Sequence, residues 1–234
     1  MNRRQFITSS IASSAILLTG LPAIVSGKNR DEPFLINAGV GGNNTVDLLA
    51  RIEKDCLSHK PDLTLLMVGS NDMNSMKFIP LAQFEENLRS IILRIKSVKS
   101  KIILMTILPV YEPYLYTRHN KAFYEPEGFQ ERKAKMNQTI RRLASEYKLT
   151  LLDMHHLFER IGNIGEEKNS LIQNELNSGK TDGLHPTSDG YKVMATALYE
   201  CIIHSGLPHN RIVCFGDSIT AGGYPAYLKQ LLFN

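Results

Sequence analysis

Arg211-Ile-Val-Cys-Phe-Gly-Asp-Ser-Ile-Thr220 is a short apolar run that breaks at Gly216 into a turn and then a helix. An uninterrupted apolar run bounded by a glycine predicts a strand, 211–216, covered on both faces. A sharp strand-to-helix turn at its end would expose the Ser218 hydroxyl and aim backbone N–H groups beside it, the setting a nucleophilic serine needs.

Working back from this stretch, strand-like and helix-like segments alternate. Apolar runs at 34–37, 63–68, 101–108 and 149–153 predict four further strands. Helical spacing predicts a helix over about 45–58, with Val46, Leu49, Ile52 and Cys56 on one face. A second covers 81–97, with Phe84, Leu88, Ile91, Ile92 and Ile95 inward. A third spans about 130–147, and a fourth 187–205, with Val193, Ala197, Leu198 and Ile202 inward. Five strands alternating with helices predict a doubly wound parallel α/β sheet. No repeat, linker or low-complexity tract divides the chain, so residues 28–234 are expected to form one domain.

Composition narrows the function. The chain has 234 residues, 43% of them hydrophobic and 21% charged, enough for one full core. Its net charge of +4 falls to +2 once Arg3 and Arg4 are set aside, which offers nothing for nucleic acid or anionic membranes. Three scattered cysteines, Cys56, Cys201 and Cys214, cannot make a disulfide framework. Cys214 lies in the serine strand, where a small buried apolar side chain fits.

Residues 1–27 read as an export signal. Asn2-Arg3-Arg4-Gln5-Phe6-Ile7 is a twin-arginine pattern, followed by a weakly apolar stretch from Ile11 to Val25. Pro22 would end its helix, and Ser26 and Gly27 suit cleavage. The alternative, an uncleaved anchor, needs a longer stretch with fewer polar interruptions. No cysteine follows the apolar run, which argues against a lipid anchor. The expected location is periplasmic or extracellular, without stable membrane association after cleavage.

Three loops at the carboxyl ends of the strands hold the polar residues, where open α/β sheets place their sites. They are Gly216-Asp-Ser218, Gly69-Ser-Asn-Asp72 and Asp182-Gly-Leu-His185-Pro186, with Asn37-Ala-Gly-Val-Gly-Gly-Asn43 following the first strand. A serine hydroxyl needs a base, and an imidazole poised near neutral pH is the usual one. His185 is that candidate, with Asp182 three residues earlier to accept its other ring N–H. The Ser218 N–H, the Gly42 N–H and the Asn71 side-chain amide are candidate oxyanion donors.

Together the four blocks resemble the motif set of the SGNH (GDSL) hydrolases. Ser218 matches the family nucleophile, Asn71 the third-block asparagine, and Asp182 with His185 the fifth-block pair. Gly42 matches the second-block glycine, although Gly39 and Gly41 leave that choice open. Ser70 departs from the pattern, since many members have glycine there. So does block order: the serine block comes first in the family and last here. The resemblance implies a flavodoxin-like three-layer α/β/α sandwich, circularly permuted, with strand 211–216 inserted between those at 34–37 and 63–68.

Each motif also has a plainer reading. Gly39 to Gly42 is not a dinucleotide cradle, because Asn44 stands where a third glycine is needed and no Walker lysine follows. Asp182 to His185 alone would be a helix-capping loop. Asp153, His155 and His156 suggest a metal site, but no second ligand cluster has the right spacing. No metal or cofactor is therefore expected.

The insertion from Tyr111 to Lys135 carries Tyr111, Tyr114, Tyr116, Phe123, Tyr124 and Phe129, with Arg118, His119 and Lys121 interleaved. It follows a strand's carboxyl end and should overhang the site. Tyr111, Tyr114 and Tyr116 are candidate substrate contacts, unless the rings only pack the loop onto the body. The chain is thus expected to be a secreted serine esterase acting on small acyl esters, acetyl groups on a carbohydrate among them. The alternatives are a lipase-like or thioesterase acylhydrolase, an inactive carbohydrate-binding relic, or a fragment of a tandem.

Overall fold

A computed structural model describes residues 32–234, and in it the apolar runs form five parallel strands. They are β1 (Phe34–Gly39), β2 (Leu63–Met67), β3 (Lys101–Met105), β4 (Thr150–Leu152) and β5 (Arg211–Gly216). Their order is β1-β5-β2-β3-β4. The last strand thus lies between the first two, at the place the family resemblance implies for 211–216. It pairs with β1 from Phe34↔Arg211 to Gly39↔Gly216, and with β2 from Leu63↔Ile212 to Met67↔Gly216. The expected export segment, residues 1–27, lies outside the described residues.

Helices cover both faces. They are α1 (Thr45–Asp55), α2 (Leu81–Ser97), α3 (Glu112–Leu115), α4 (Phe129–Glu146), α5 (Met154–Ile161), α6 (Glu175–Ser178), α7 (Ser188–His204), α8 (Ser218–Ala221) and α9 (Tyr224–Phe233). Strand side chains alternate between two cores, as a period of two requires. Leu66, Val213 and Phe215 pack with α1, α2 and α4 through residues such as Leu48, Ile52, Phe84 and Ile140. Leu65, Ile212 and Cys214 pack with α5, α7 and α9 through Phe158, Met194, Leu198 and Leu228. Ile212, Val213 and Phe215 are fully buried. Each such side chain contributes about 1.5–3 kcal/mol, so β5 is a central part of the core.

Some inward faces differ from those expected. On α1, Thr45, Leu48 and Ile52 are buried, whereas Val46 is 52% exposed. The cap decides this. Asn44 accepts from the N–H groups of Val46 and Asp47 and donates to the Lys77 carbonyl, while Thr45 is tied to Asp72. These bonds turn Val46 outward. On α7, Met194 and Ala195 are buried beside Leu198 and Ile202, and Val193 and Ala197 lie at the margin. Helix α1 stops at Asp55, and residues Leu57–His59 continue as a 3₁₀ turn. Among the described residues, no helix is long and apolar enough to cross a membrane.

Candidate active site

The site begins where β5 ends. Asp217 caps α8, its carboxylate accepting the Ile219 N–H at 3.0 Å, and this cap starts the helix at Ser218. The turn is possible because β1 ends in Gly39, where any Cβ would fall 2.1 Å from the Ala221 nitrogen of α8. Ser218 is half-buried. Its N–H and that of Gly42 have no hydrogen-bond partner among the described residues.

The loop before α7 supplies the partners. His185 Nε2 lies 2.9 Å from Ser218 Oγ, and His185 Nδ1 lies 2.9 and 3.0 Å from the two Asp182 oxygens. An imidazole protonated on Nδ1 donates to Asp182 and accepts the serine proton at Nε2. Asp182 also accepts the backbone N–H groups of Leu184 and His185. Burial acts to raise the Asp182 carboxyl. The His185 ring, backbone and charge, with the Leu184 N–H, outweigh it and hold the carboxyl well below the usual carboxylate range. It is therefore an anion near neutral pH.

Asn71 and Gly42 lie on neighbouring loops that a chain of bonds joins to the serine. Asn71 Nδ2 donates to the Asn43 carbonyl at 2.9 Å, leaving its second hydrogen, and its Oδ1 accepts from Asn74 Nδ2. Arg51 then ties these loops to β5. Its Nε donates to Asn43 Oδ1 at 2.6 Å, Nη1 to the Ala38 carbonyl at 2.9 Å, and Nη2 to the Gly216 carbonyl at 2.7 Å. The guanidinium also stacks on the Phe215 ring and pairs with Asp55. Gly39 and Gly41, the other glycines that the block left open, differ in setting. Gly39 is packed on α8, whereas Gly41 and Gly42 face open space.

Two buried acids lie beneath. Asp72 accepts the N–H and hydroxyl of Thr45, whose hydroxyl also accepts from Asn87. Asp217 has one oxygen without a partner among the described residues. Burial pushes both carboxyls up to about 6, against the hydrogen bonds they accept, and the charge of a neighbouring carboxylate adds to the rise in each. For Asp217 that neighbour is Asp72; for Asp72 it is Asp47.

The insertion divides into two parts. Tyr116, Phe123, Tyr124 and Phe129 form a ring cluster around Arg132, with Tyr124 and Phe129 buried. Tyr116 donates to Glu112 and belongs to this cluster. Tyr111 and Tyr114 stack edge to face against the Asp182 loop. The Tyr111 N–H donates to the Gly183 carbonyl at 2.9 Å. Gly183 has φ +70°, and a Cβ there would fall 2.6 Å from the Tyr111 carbonyl oxygen, so glycine is required. Arg118 donates to the Asp182 carbonyl at 2.7 Å. His119 bonds Ser75.

The Asp153, His155 and His156 group is arranged otherwise. Asp153 caps α5 through the His156 N–H and pairs with Arg141, and His155 pairs with Glu159. Among the described residues, no three acidic, histidine or cysteine side chains are grouped to hold a metal ion. Sequence reasoning missed Arg51 and the role of Arg118. Neither belongs to a motif, and their acceptors are chiefly backbone carbonyls, which no residue pattern encodes.

The arrangement supplies a hydroxyl, a base able to receive its proton, an anion to orient that base, and, on Ser218 itself, an N–H with no partner among the described residues. These are the parts that acyl transfer needs. A sequence model of the GDSL-like lipase/acylhydrolase family matches residues 17–193. An uncharacterized lipoprotein of Bacillus subtilis (strain 168), YqeF, is 29% identical over 185 residues, covering 73% of this chain and 74% of that protein. An acetylxylan esterase of Geobacillus stearothermophilus is 27% identical over 171 residues, covering 70% and 69%. The crystal structure of a lipase/acylhydrolase from Enterococcus faecalis superposes with a TM-score of 0.57 at 25% identity, over 73% of this chain and 75% of that one.

Proposed function

Since the chain belongs to the GDSL-like lipase/acylhydrolase family, whose members hydrolyse esters, we propose that it is an exported serine esterase removing small acyl groups, acetyl foremost, from carbohydrate. The observation that carries the reading is the series Asp182–His185–Ser218, with 2.9 Å at both steps. The Ser218 hydroxyl passes its proton to His185 Nε2 as Oγ attacks the acyl carbonyl carbon. The N–H groups of Ser218 and Gly42 and the second hydrogen of Asn71 receive the developing oxyanion; each such donor is typically worth about 3 kcal/mol. His185 returns the proton to the departing alcohol oxygen, leaving an acylated serine. Water then repeats the sequence and releases the acid.

Acetyl as the acyl group and carbohydrate as the alcohol draw support from the acetylxylan esterase relative. Tyr111 and Tyr114, beside the Asp182 loop, are the rings we assign to the substrate; Tyr116 packs on Tyr124 in the ring cluster and is not assigned to the substrate. The export reading rests on Arg3-Arg4 and the apolar stretch after them. Hydrolysis of a panel of nitrophenyl esters and acetylated sugars, by the native protein and by Ser218→Ala, tests the proposal. Preference for acetyl over longer chains supports it; a preference for long acyl chains would favour a lipase-like enzyme. No Ser218-dependent hydrolysis of any ester would point to a binding relic.

We also read the chain as a circular permutation of the family order. The family's first block holds the serine, yet here it lies on the last strand, and that strand sits between β1 and β2. The family match, residues 17–193, ends before Ser218. Residues 32–234 pack as one unit that contains all the candidate residues, which supports our single-domain reading.

A further inference from the structure

We propose that Arg118, reaching from the aromatic insertion, is a positioning residue for the triad: it fixes the Asp182 loop and supplies the positive charge that balances the Asp182 carboxylate. The inference rests on the esterase reading and assigns the insertion a part in it. Arg118 Nη2 donates to the Asp182 carbonyl at 2.7 Å, and Nη1 lies 3.8 Å from Asp182 Oδ2. The same guanidinium thus touches both the backbone and the carboxylate of the residue that orients His185. The Tyr111–Gly183 bond and the packing of Tyr114 on Gly183 hold the loop from the same side. From the other side, the Gly183 N–H donates to the Gln173 carbonyl, and the Gln173 N–H donates to the His185 carbonyl. The acid–base pair is therefore clasped between the insertion and the segment before α6.

The consequence is electrostatic as well as mechanical. The groups facing the imidazole are Asp182 from its own loop and Ser218 and Asp217 from the start of α8. Tyr191 of α7 lies close enough to couple to both acids, and Arg118 acts through Asp182 from the insertion. Among these, Arg118 is the cation. Two acids favour a protonated imidazole, which cannot accept the serine proton. Arg118 offsets them and keeps the base available at lower pH. Its side chain is 39% exposed, so salt screens the effect.

The test compares Arg118→Gln, which removes the charge, with Arg118→Lys, which keeps it. Turnover of a neutral nitrophenyl acetate is followed against pH. In parallel, NMR follows the ring protons of His185, assigned by their loss in His185→Ala, with no substrate present. We expect Arg118→Gln to move the acid limb of kcat/KM to higher pH by about half a unit relative to the native protein, with the His185 ring signals changing in step. Kcat should fall more than KM rises. Arg118→Lys should leave both midpoints in place, and 1 M salt should bring the native protein toward Arg118→Gln. Coincident ring titrations in native and Arg118→Gln protein would overturn the proposal. So would a change confined to KM, which would make Arg118 a substrate contact. If no ester is hydrolysed through Ser218, the esterase reading fails, yet the ring titration still decides whether Arg118 governs the pair.

Discussion

Arg51 Nη2 donates to the Gly216 carbonyl at 2.7 Å, although 165 residues separate the two in sequence. One guanidinium thereby joins the serine strand to β1 and, through Asn43, to Asn71. The loops bearing the proposed nucleophile and the proposed oxyanion donors share this single anchor. Arg51→Lys retains the charge but not a planar fork that can reach three acceptors at once. We expect it to lower kcat by roughly tenfold to a hundredfold with little change in KM, because a small displacement of positioned groups is costly. Steady-state kinetics on a small acetyl ester, beside a thermal melt that shows the variant folded, checks this.

The two partners of Ser218 should differ in weight. His185→Ala removes the base and should abolish turnover above background. Asp182→Asn leaves the base but loses its orienting anion, so its deficit should be large yet smaller, roughly 10²–10⁴-fold. Asp182 is mostly buried and its lowered carboxyl contributes stability at neutral pH, so Asp182→Asn should also lower the melt, and both variants are compared as folded protein. Equal loss in the two variants would contradict the separate roles.

Stability should respond to pH through Asp217. Its carboxyl is pushed from 3.8 up to about 6 in the folded state, mainly by burial. A group raised in this way contributes stability that is fully present below about 4 and lost as pH climbs through about 6. Asp72 acts in the same direction, whereas Asp182, held low, contributes above its unfolded value and loses that contribution on acidification. Asp217→Asn keeps an oxygen for the Ile219 N–H and removes the charge. Denaturant unfolding at pH 4.5 and pH 8 should therefore show the variant gaining, relative to the native protein, on the order of 2 kcal/mol at the higher pH.

Much of this was legible in the sequence because buried parallel strands write themselves as uninterrupted apolar runs. The run at 211–216 gave its strand to the residue, and the blocks at 216–218 and 182–186 named Ser218, His185 and Asp182, which the fold brings within hydrogen-bonding distance. The inward face of α1 was not legible. Val46 and Leu48 are equally apolar, and the Asn44 cap with the tie of Thr45 to Asp72, 27 residues away, decides which one is buried. The insertion was half legible: its aromatic content showed, but not that Tyr124 and Phe129 turn inward around Arg132 while Tyr111 and Tyr114 meet the Asp182 loop. Arg51 left no signal and Arg118 showed only as one cation of the insertion, since the Ala38, Gly216 and Asp182 carbonyls that they bind are main chain.

The proposed permutation predicts how the chain tolerates being cut and rejoined. Deleting residues 210–234 removes β5 and exposes the edges of β1 and β2, so the product should aggregate. Moving residues 207–234 ahead of residue 28 through a short linker keeps the sheet contacts and changes only loop closure, so activity should survive. Co-refolding Ser218→Ala with His185→Ala should restore nothing. Recovered activity would reveal a swapped dimer with shared sites rather than a single-chain permutation.

The claim beneath all of these is that Ser218 carries the acyl group. The direct measurement is peptide mass spectrometry after reaction with a fluorophosphonate, which marks an activated serine. The expected result is one adduct per chain, on the peptide containing Ser218, absent from Ser218→Ala and strongly reduced in His185→Ala. An adduct on another residue, or none on a preparation that hydrolyses esters, would contradict it.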